Sequence, residues 1–305
     1  MSDLTPAKTL AAPPLREAEE RPLLAIGLVL LSMAFFSSVD VLSKIMVGEY
    51  SPVEVAWGRY LSNTLVLVPF IVRSRGQLLA TARPLSQVVR GVSMLGSAVL
   101  FMAGLGELAI ADATSIGFVS PLLVTALSIP VLGEKVGIRR WSAVIVGFAG
   151  ILIIIRPGTS AFNPAALFPV LSAACWSCGL VVTRRMKTGE PVLTTLFYTA
   201  FVGLGILTVL LPSVWLPLTW QAFSVMMLMG ILNTFGQYTL TLGYIRGPAS
   251  MLAPFSYSQI IWSTLSGIFV FGTVPGLFTW IGATIVVASG LYVFHRERII
   301  KGGAR

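Results

Sequence analysis

Long apolar runs recur along this chain from about Leu23 to Phe294, broken by short loops rich in charge, Pro or Gly. A helix needs about 20 apolar residues to cross the hydrocarbon of a bilayer. Inside lipid every backbone N–H and C=O must be satisfied internally, which makes each such run a helix. Marking the runs predicts ten spans, at 23–45, 52–72, 87–106, 113–132, 138–155, 164–183, 191–211, 220–243, 249–270 and 275–295. Only 11% of the 305 residues are charged, against about 25% in soluble domains. That depletion excludes a globular enzyme with a water-facing surface. The expected fold is an all-α polytopic membrane protein, one compact bundle with short connections.

The net charge of +9 is placed unevenly. No basic helix or aromatic RNA-binding strand motif accompanies it, and no nucleic-acid partner is expected. With the N-terminus in the cytosol, the inner loops hold Arg73, Arg75, Arg83 and Arg90, then Lys135, Arg139 and Arg140, then Arg184, Arg185 and Lys187, then Arg246. The other side holds Arg156 with Glu49, Glu107 and Asp112. Lys and Arg concentrate on the cytoplasmic side of membrane proteins, which predicts both termini inside. Residues 1–22 read as a cytosolic tail and 296–305 as a second one. The first apolar run is long and no small-x-small cleavage site follows it, unlike a signal peptide.

The chain repeats. Sliding 111–152 by 139 positions onto 250–291 places Thr125, Ile129, Gly133, Gly137 and Trp141 on Thr264, Ile268, Gly272, Gly276 and Trp280. More loosely, Ser32, Ser37 and Lys44 fall on Ser172, Ser177 and Arg184. Two five-span halves, 23–156 and 164–295, follow. An odd number of crossings turns the second half upside down. Inverted repeats around a midplane site are the construction of many secondary transporters.

The stretches that carry a wider likeness are "DVLSK" with "SPVEVAWGRYL" in spans 1 and 2, "SPLLVTALSIPVLGEKVGIRRW" in the first half, and "PASMLAPFSYSQIIWSTLSGIFVFGTVPGLFTW" in the second. On these the chain resembles the drug/metabolite transporter superfamily, in particular ten-helix bacterial carriers with two EamA repeats. The second copy of the hairpin pattern has Thr273 where the first has Glu134. The resemblance implies a carrier in the bacterial inner membrane for a small organic solute. It looks closest to carriers of riboflavin-like or S-adenosylmethionine-like solutes; amino-acid and multidrug exporters share the superfamily.

Charges within spans are costly, about 3 kcal/mol or more at the bilayer centre, and mark function by default. Asp40 and Lys44 stand four apart on one face of span 1, the favourable order for an intrahelical pair. Span 2 brings Glu54 and Arg59 to similar depth. Two readings are open: the edge of a substrate cavity, with Asp40 or Arg59 touching solute and Lys44 and Glu54 gating, or an ion-pair network that locks two helices. Other candidates for solute contact are Trp176 in span 6, Asn233, Gln237 and Tyr238 in span 8, and Tyr257, Gln259 and Trp262 in span 9. Buried amides seek partners in each other, water or solute, and Trp and Tyr stack on flat rings. Pro121, Pro130 and Pro254 are candidate kinks in spans 4 and 9.

No HExxH pair, G-x-S-x-G elbow or Gly-rich phosphate loop is present. No catalytic residue, metal site or cofactor is expected, and the partners are a small molecule and membrane lipid. Cys175 and Cys178 read as packing residues rather than a redox pair, since thiolates need water or positive neighbours.

Overall fold

The computed structural model describes residues 22–132, 138–186, 191–246, 252 and 255–302. Residues 1–21, 133–137 with Glu134 and Lys135, Lys187 and Pro254 lie outside the described residues. The helices are α1 (Pro22–Met46), α2 (Pro52–Arg73), α3 (Pro84–Glu107), α4 (Ile110–Gly117), α5 (Ser120–Leu132), α6 (Ile138–Ile155), α7 (Leu167–Met186), α8 (Val192–Leu210), α9 (Trp220–Arg246), α10 (Ser258–Phe271) and α11 (Leu277–Gly302). The chain is all-helical with no strand among the described residues. Six stretches are long and apolar enough to cross a membrane, with shorter apolar helices at Trp141–Ile155, Ser258–Phe271 and Leu277–Tyr292.

Local chemistry sets the boundaries. Ser51 caps α2 by accepting the Glu54 N–H at 3.2 Å, with Pro52 at the first helical position, where its missing N–H costs nothing. Span 4 is not one helix: α4 and α5 break at Phe118 and Val119. Pro121 explains the break, because its ring excludes the carbonyl four residues back and it offers no N–H. Pro130, by contrast, stays inside α5. The last helix runs seven residues past the expected end at 295, to Gly302.

The two halves are copies in packing as well as in sequence. Spans 1 to 5 are α1, α2, α3, α4 with α5, and α6; spans 6 to 10 are α7 to α11. Span 1 packs chiefly on span 8, and span 6 chiefly on span 3. Spans 2 and 8 meet as spans 7 and 3 do, while 5 meets 10, 2 meets 7 and 4 meets 9. Exchanging the halves leaves this list unchanged, a pseudo-two-fold relation. Positions 31–40 and 171–180 even run through buried, half-buried and exposed environments in the same order at every position. Where span 5 crosses span 10, a Cβ on Gly282 would stand 2.5 Å from the Gly150 carbonyl oxygen, and one on Gly150 2.9 Å from that of Gly282. Only glycines allow that approach. The rings of Phe118 and Tyr257, related by the same 139-residue offset, meet with centroids 5.0 Å apart.

Large apolar side chains such as Val209, Trp220 and Phe269 point outward at 80% exposure or more. Such a surface fits lipid, not water.

Candidate functional site

Helical periodicity separates lipid-facing residues from those facing the bundle. On α1 the exposed stripe is Leu24, Leu31, Ser38 and Ile45. Asp40 lies on the opposite face, near buried Met33, yet stays half-buried. On α9 the exposed stripe is Leu228, Ile231, Phe235 and Tyr238, and Asn233 and Gln237 share the inner face with buried Met226 and Met229. Both amides remain only half-buried. Trp176 is half-buried on the face of α7 opposite exposed Leu171 and Cys178. These residues point inward and still keep accessible surface.

The remaining candidates fall elsewhere. Tyr238 is half exposed on the outward stripe of α9, and Trp262 shares the outward side of α10 with Ile261, Leu265 and Phe269. Tyr257 is buried in the helix packing, its hydroxyl without a partner and pressed against Gly290. Cys175 and Cys178 are free thiols.

The four charges of spans 1 and 2 use mainly neutral partners. Asp40 Oδ2 accepts the Gln259 side-chain amide at 3.0 Å, tying α1 to α10. Lys44 turns away from Asp40. Its Nζ donates to the carbonyl oxygens of Leu105 at 2.6 Å and Leu108 at 2.7 Å, and it lies 5.6 Å from the Phe271 ring centroid. Those carbonyls end α3, where no intrahelical donor remains for them. One ammonium therefore clamps α1, the α3–α4 corner and the end of α10. Glu54 is fully buried, and its Oε1 accepts the Leu216 N–H at 3.3 Å from the loop before α9. Arg59 stacks near the Tyr60 ring at 5.6 Å, with its Nε buried and unpartnered, and is attracted to Asp40. The intrahelical Asp40–Lys44 pair suggested by spacing does not form as a hydrogen bond; each side chain is held by another helix.

Arg90 was not among the expected site residues and was placed with a loop. It lies inside α3 and donates to the Thr183 hydroxyl at 2.8 Å, the Thr195 carbonyl at 3.3 Å and the Thr199 hydroxyl. Gln87, one turn earlier, donates to the Thr195 hydroxyl at 3.3 Å. Arg90 also acts electrostatically on Tyr60, as Arg59 does. A polar line thus runs Gln259–Asp40–Arg59–Tyr60–Arg90 across α10, α1, α2 and α3. The sequence signal for Arg90 was its position inside the expected span 87–106.

Among the described residues no His, Cys, Asp and Glu cluster could hold a metal ion.

A polytopic helical bundle built from two inverted halves, with charges and amides on the inward faces of its helices, defines a membrane transporter. The profile of the EamA-like transporter family matches residues 23–156 and again 163–294. The chain belongs to that family and is a transporter rather than an enzyme. It is 28% identical over 275 residues to an S-adenosylmethionine uptake transporter of Rickettsia bellii, covering 90% of this chain and 94% of that one. It is 28% identical over 277 residues to a riboflavin transporter of Rhizobium johnstonii, covering 90% and 91%. A solved structure described only as "Crystal structure of protein" superposes with a TM-score of 0.60 at 19% identity, over 90% of this chain and 98% of that one. This last likeness shows the fold alone.

Proposed function

We propose that this protein carries a small metabolite with a flat heteroaromatic ring across the bacterial inner membrane by alternating access, its termini in the cytoplasm. One observation carries the reading: Trp176, Asn233 and Gln237 face the bundle interior and keep accessible surface. An indole face stacks on a ring, and amides recognise its polar edge. Riboflavin and S-adenosylmethionine, named for two relatives, share a flat nitrogen heterocycle on a polar chain. Asp40, Gln259 and Arg59 are assigned to the polar part of the solute. Lys44 and Glu54 serve as gate residues, because each holds its helix to a neighbouring helix end or loop. A second reading, a cationic solute of the S-adenosylmethionine type, is favoured by the half-buried Asp40 carboxylate.

Counterflow in proteoliposomes tests the proposal. Vesicles loaded with unlabelled riboflavin or S-adenosylmethionine should accumulate the same labelled solute transiently, and Trp176→Ala should reduce it at least tenfold. If neither is exchanged, nor adenosine, the heteroaromatic reading fails. Reporter fusions placing either terminus outside would overturn the orientation.

A further inference from the structure

A polar cavity lies at the end of the bundle where Lys44 sits, apart from the residues assigned above to the solute ring. Its volume is about 220 Å³. Glu107 and Asp112 line it at the α3–α4 corner, Arg156 lines it just after α6, and Asn163 lines it ahead of α7. Ile116 and Ile155 form apolar wall. Thr279 donates to Asp112 Oδ1 at 2.6 Å, so only one of the two carboxylate oxygens is engaged there. Arg156 lies over the Phe278 ring at 5.0 Å, and its Nε is buried with no partner. Its backbone takes a left-handed φ of 52° immediately before Pro157, a conformation uncommon outside glycine. Two carboxylates and one guanidinium leave the cavity with one excess negative charge.

We infer that this cavity is a binding site for a cationic α-amino-acid head group. The ligand carboxylate pairs with Arg156, the residue type whose fork suits carboxylates. The α-ammonium lies between Glu107 and Asp112, and the remaining positive charge balances the site. The volume suits a head group of about ten heavy atoms, below the roughly 300 Å³ at which whole-ligand pockets begin. Leu108 links the cavity to the clamp: it lines the wall, and its carbonyl accepts from Lys44. Glu107 also attracts Lys44. A cation arriving beside Glu107 therefore competes with Lys44 and loosens the clamp as solute waits. The inference rests on the carrier reading for this waiting role, but not for the binding itself.

The test is calorimetric titration of the purified full chain with S-methyl-L-methionine, a sulfonium amino acid without a ring. Methylthioadenosine, the ring without the amino-acid head, is titrated in parallel. Saturable S-methyl-L-methionine binding, weakened tenfold or more in both Arg156→Gln and Asp112→Asn with methylthioadenosine binding unchanged by either variant, supports the site. Absence of saturable binding, or S-methyl-L-methionine affinity within tenfold of wild type in either variant, overturns it. Glu107→Gln, at an exposed position, replaces Asp112→Asn if that variant melts early, and is read by the same criterion. Heteroaromatic counterflow is scored separately, so a failed carrier reading is distinguishable from an absent head-group site.

Discussion

Replacing Lys44 by methionine should release the end of the bundle that Lys44 now holds. The ammonium makes two hydrogen bonds, at 2.6 and 2.7 Å, to carbonyls that no helical N–H can satisfy. Charged hydrogen bonds in soluble proteins are worth about 1.5–3 kcal/mol each. Interhelical bonds in membranes average only about 0.6 kcal/mol, with maxima near 1.7, because the alternative states also find partners. The lower range applies in a membrane bundle, and two bonds then contribute about 1–3 kcal/mol. The Phe271 contact adds about 0.5 kcal/mol. If the clamp exists in only one of two access states, its loss moves their ratio roughly 5- to 150-fold. The assay is alkylation by an impermeant maleimide, applied from each side in turn. The reporter is Phe101→Cys on the inner face of α3, in a Cys175→Ser, Cys178→Ser background. Lys44→Met should raise the labelling rate from the clamp side tenfold or more, and Lys44→Arg should preserve most of the wild-type rate. An unchanged rate in a variant of wild-type melting temperature would refute the clamp.

Other substitutions test the packing and the polar line. Gly282→Ala brings a Cβ to 2.5 Å from the Gly150 carbonyl and should cost about 1–3 kcal/mol. Gly205→Ala in α8 meets nothing within 4 Å and should gain about 0.5–1 kcal/mol of helix propensity; opposite shifts in detergent melting temperature are the check. Arg90→Gln removes three bonds joining α3 to α7 and α8 and should lower the melting temperature by several degrees, roughly 2–4 °C per kcal/mol. Asp40→Asn keeps an acceptor for Gln259 but removes the charge. Exchange should fall at least tenfold with melting nearly unchanged, and a proportional loss of both would show that Asp40 only holds helices together.

The architecture was legible in the sequence because lipid imposes one rule on every span: apolar surface outside and backbone satisfied within. Pro52 marked the start of span 2, whereas α3 starts at Pro84, three residues ahead of the expected 87. Pro121, an expected kink, marks the break in span 4, which falls just ahead of it at Phe118 and Val119. The site was less legible because spacing reports a shared face and not a partner. Asp40 and Lys44 share a face of α1, yet one bonds Gln259 and the other the end of α3. Their partners lie 219 and 61 residues away, and local periodicity carries no information at that distance. Tyr238 and Trp262 show the same limit. Aromatic identity suggested a ring-binding role, while the helix phase that turns them outward is set by packing against other spans.

The repeat also separates scaffold from chemistry. Under the proposed alternating access, two halves with matched environments at 31–40 and 171–180 would trade conformations, as inverted repeats do. Perfect symmetry would give two identical half-sites, however, and an asymmetric solute needs unlike ones. Ser38 and Cys178 differ on the outward side, while other departures fall at inward positions. Under the 140-residue offset Asp40 corresponds to Leu180 and Phe36 to Trp176; under the 139-residue offset Phe118 corresponds to Tyr257. One half thus contributes the charge and the other the indole. Under the carrier reading, the matched residues make the motion nearly isoenergetic and the mismatched residues define what is carried. Exchanging the mismatches pairwise, with Asp40→Leu and Leu180→Asp together, should keep the fold and destroy solute preference. If that double variant retained wild-type preference, the division between scaffold and chemistry would be wrong.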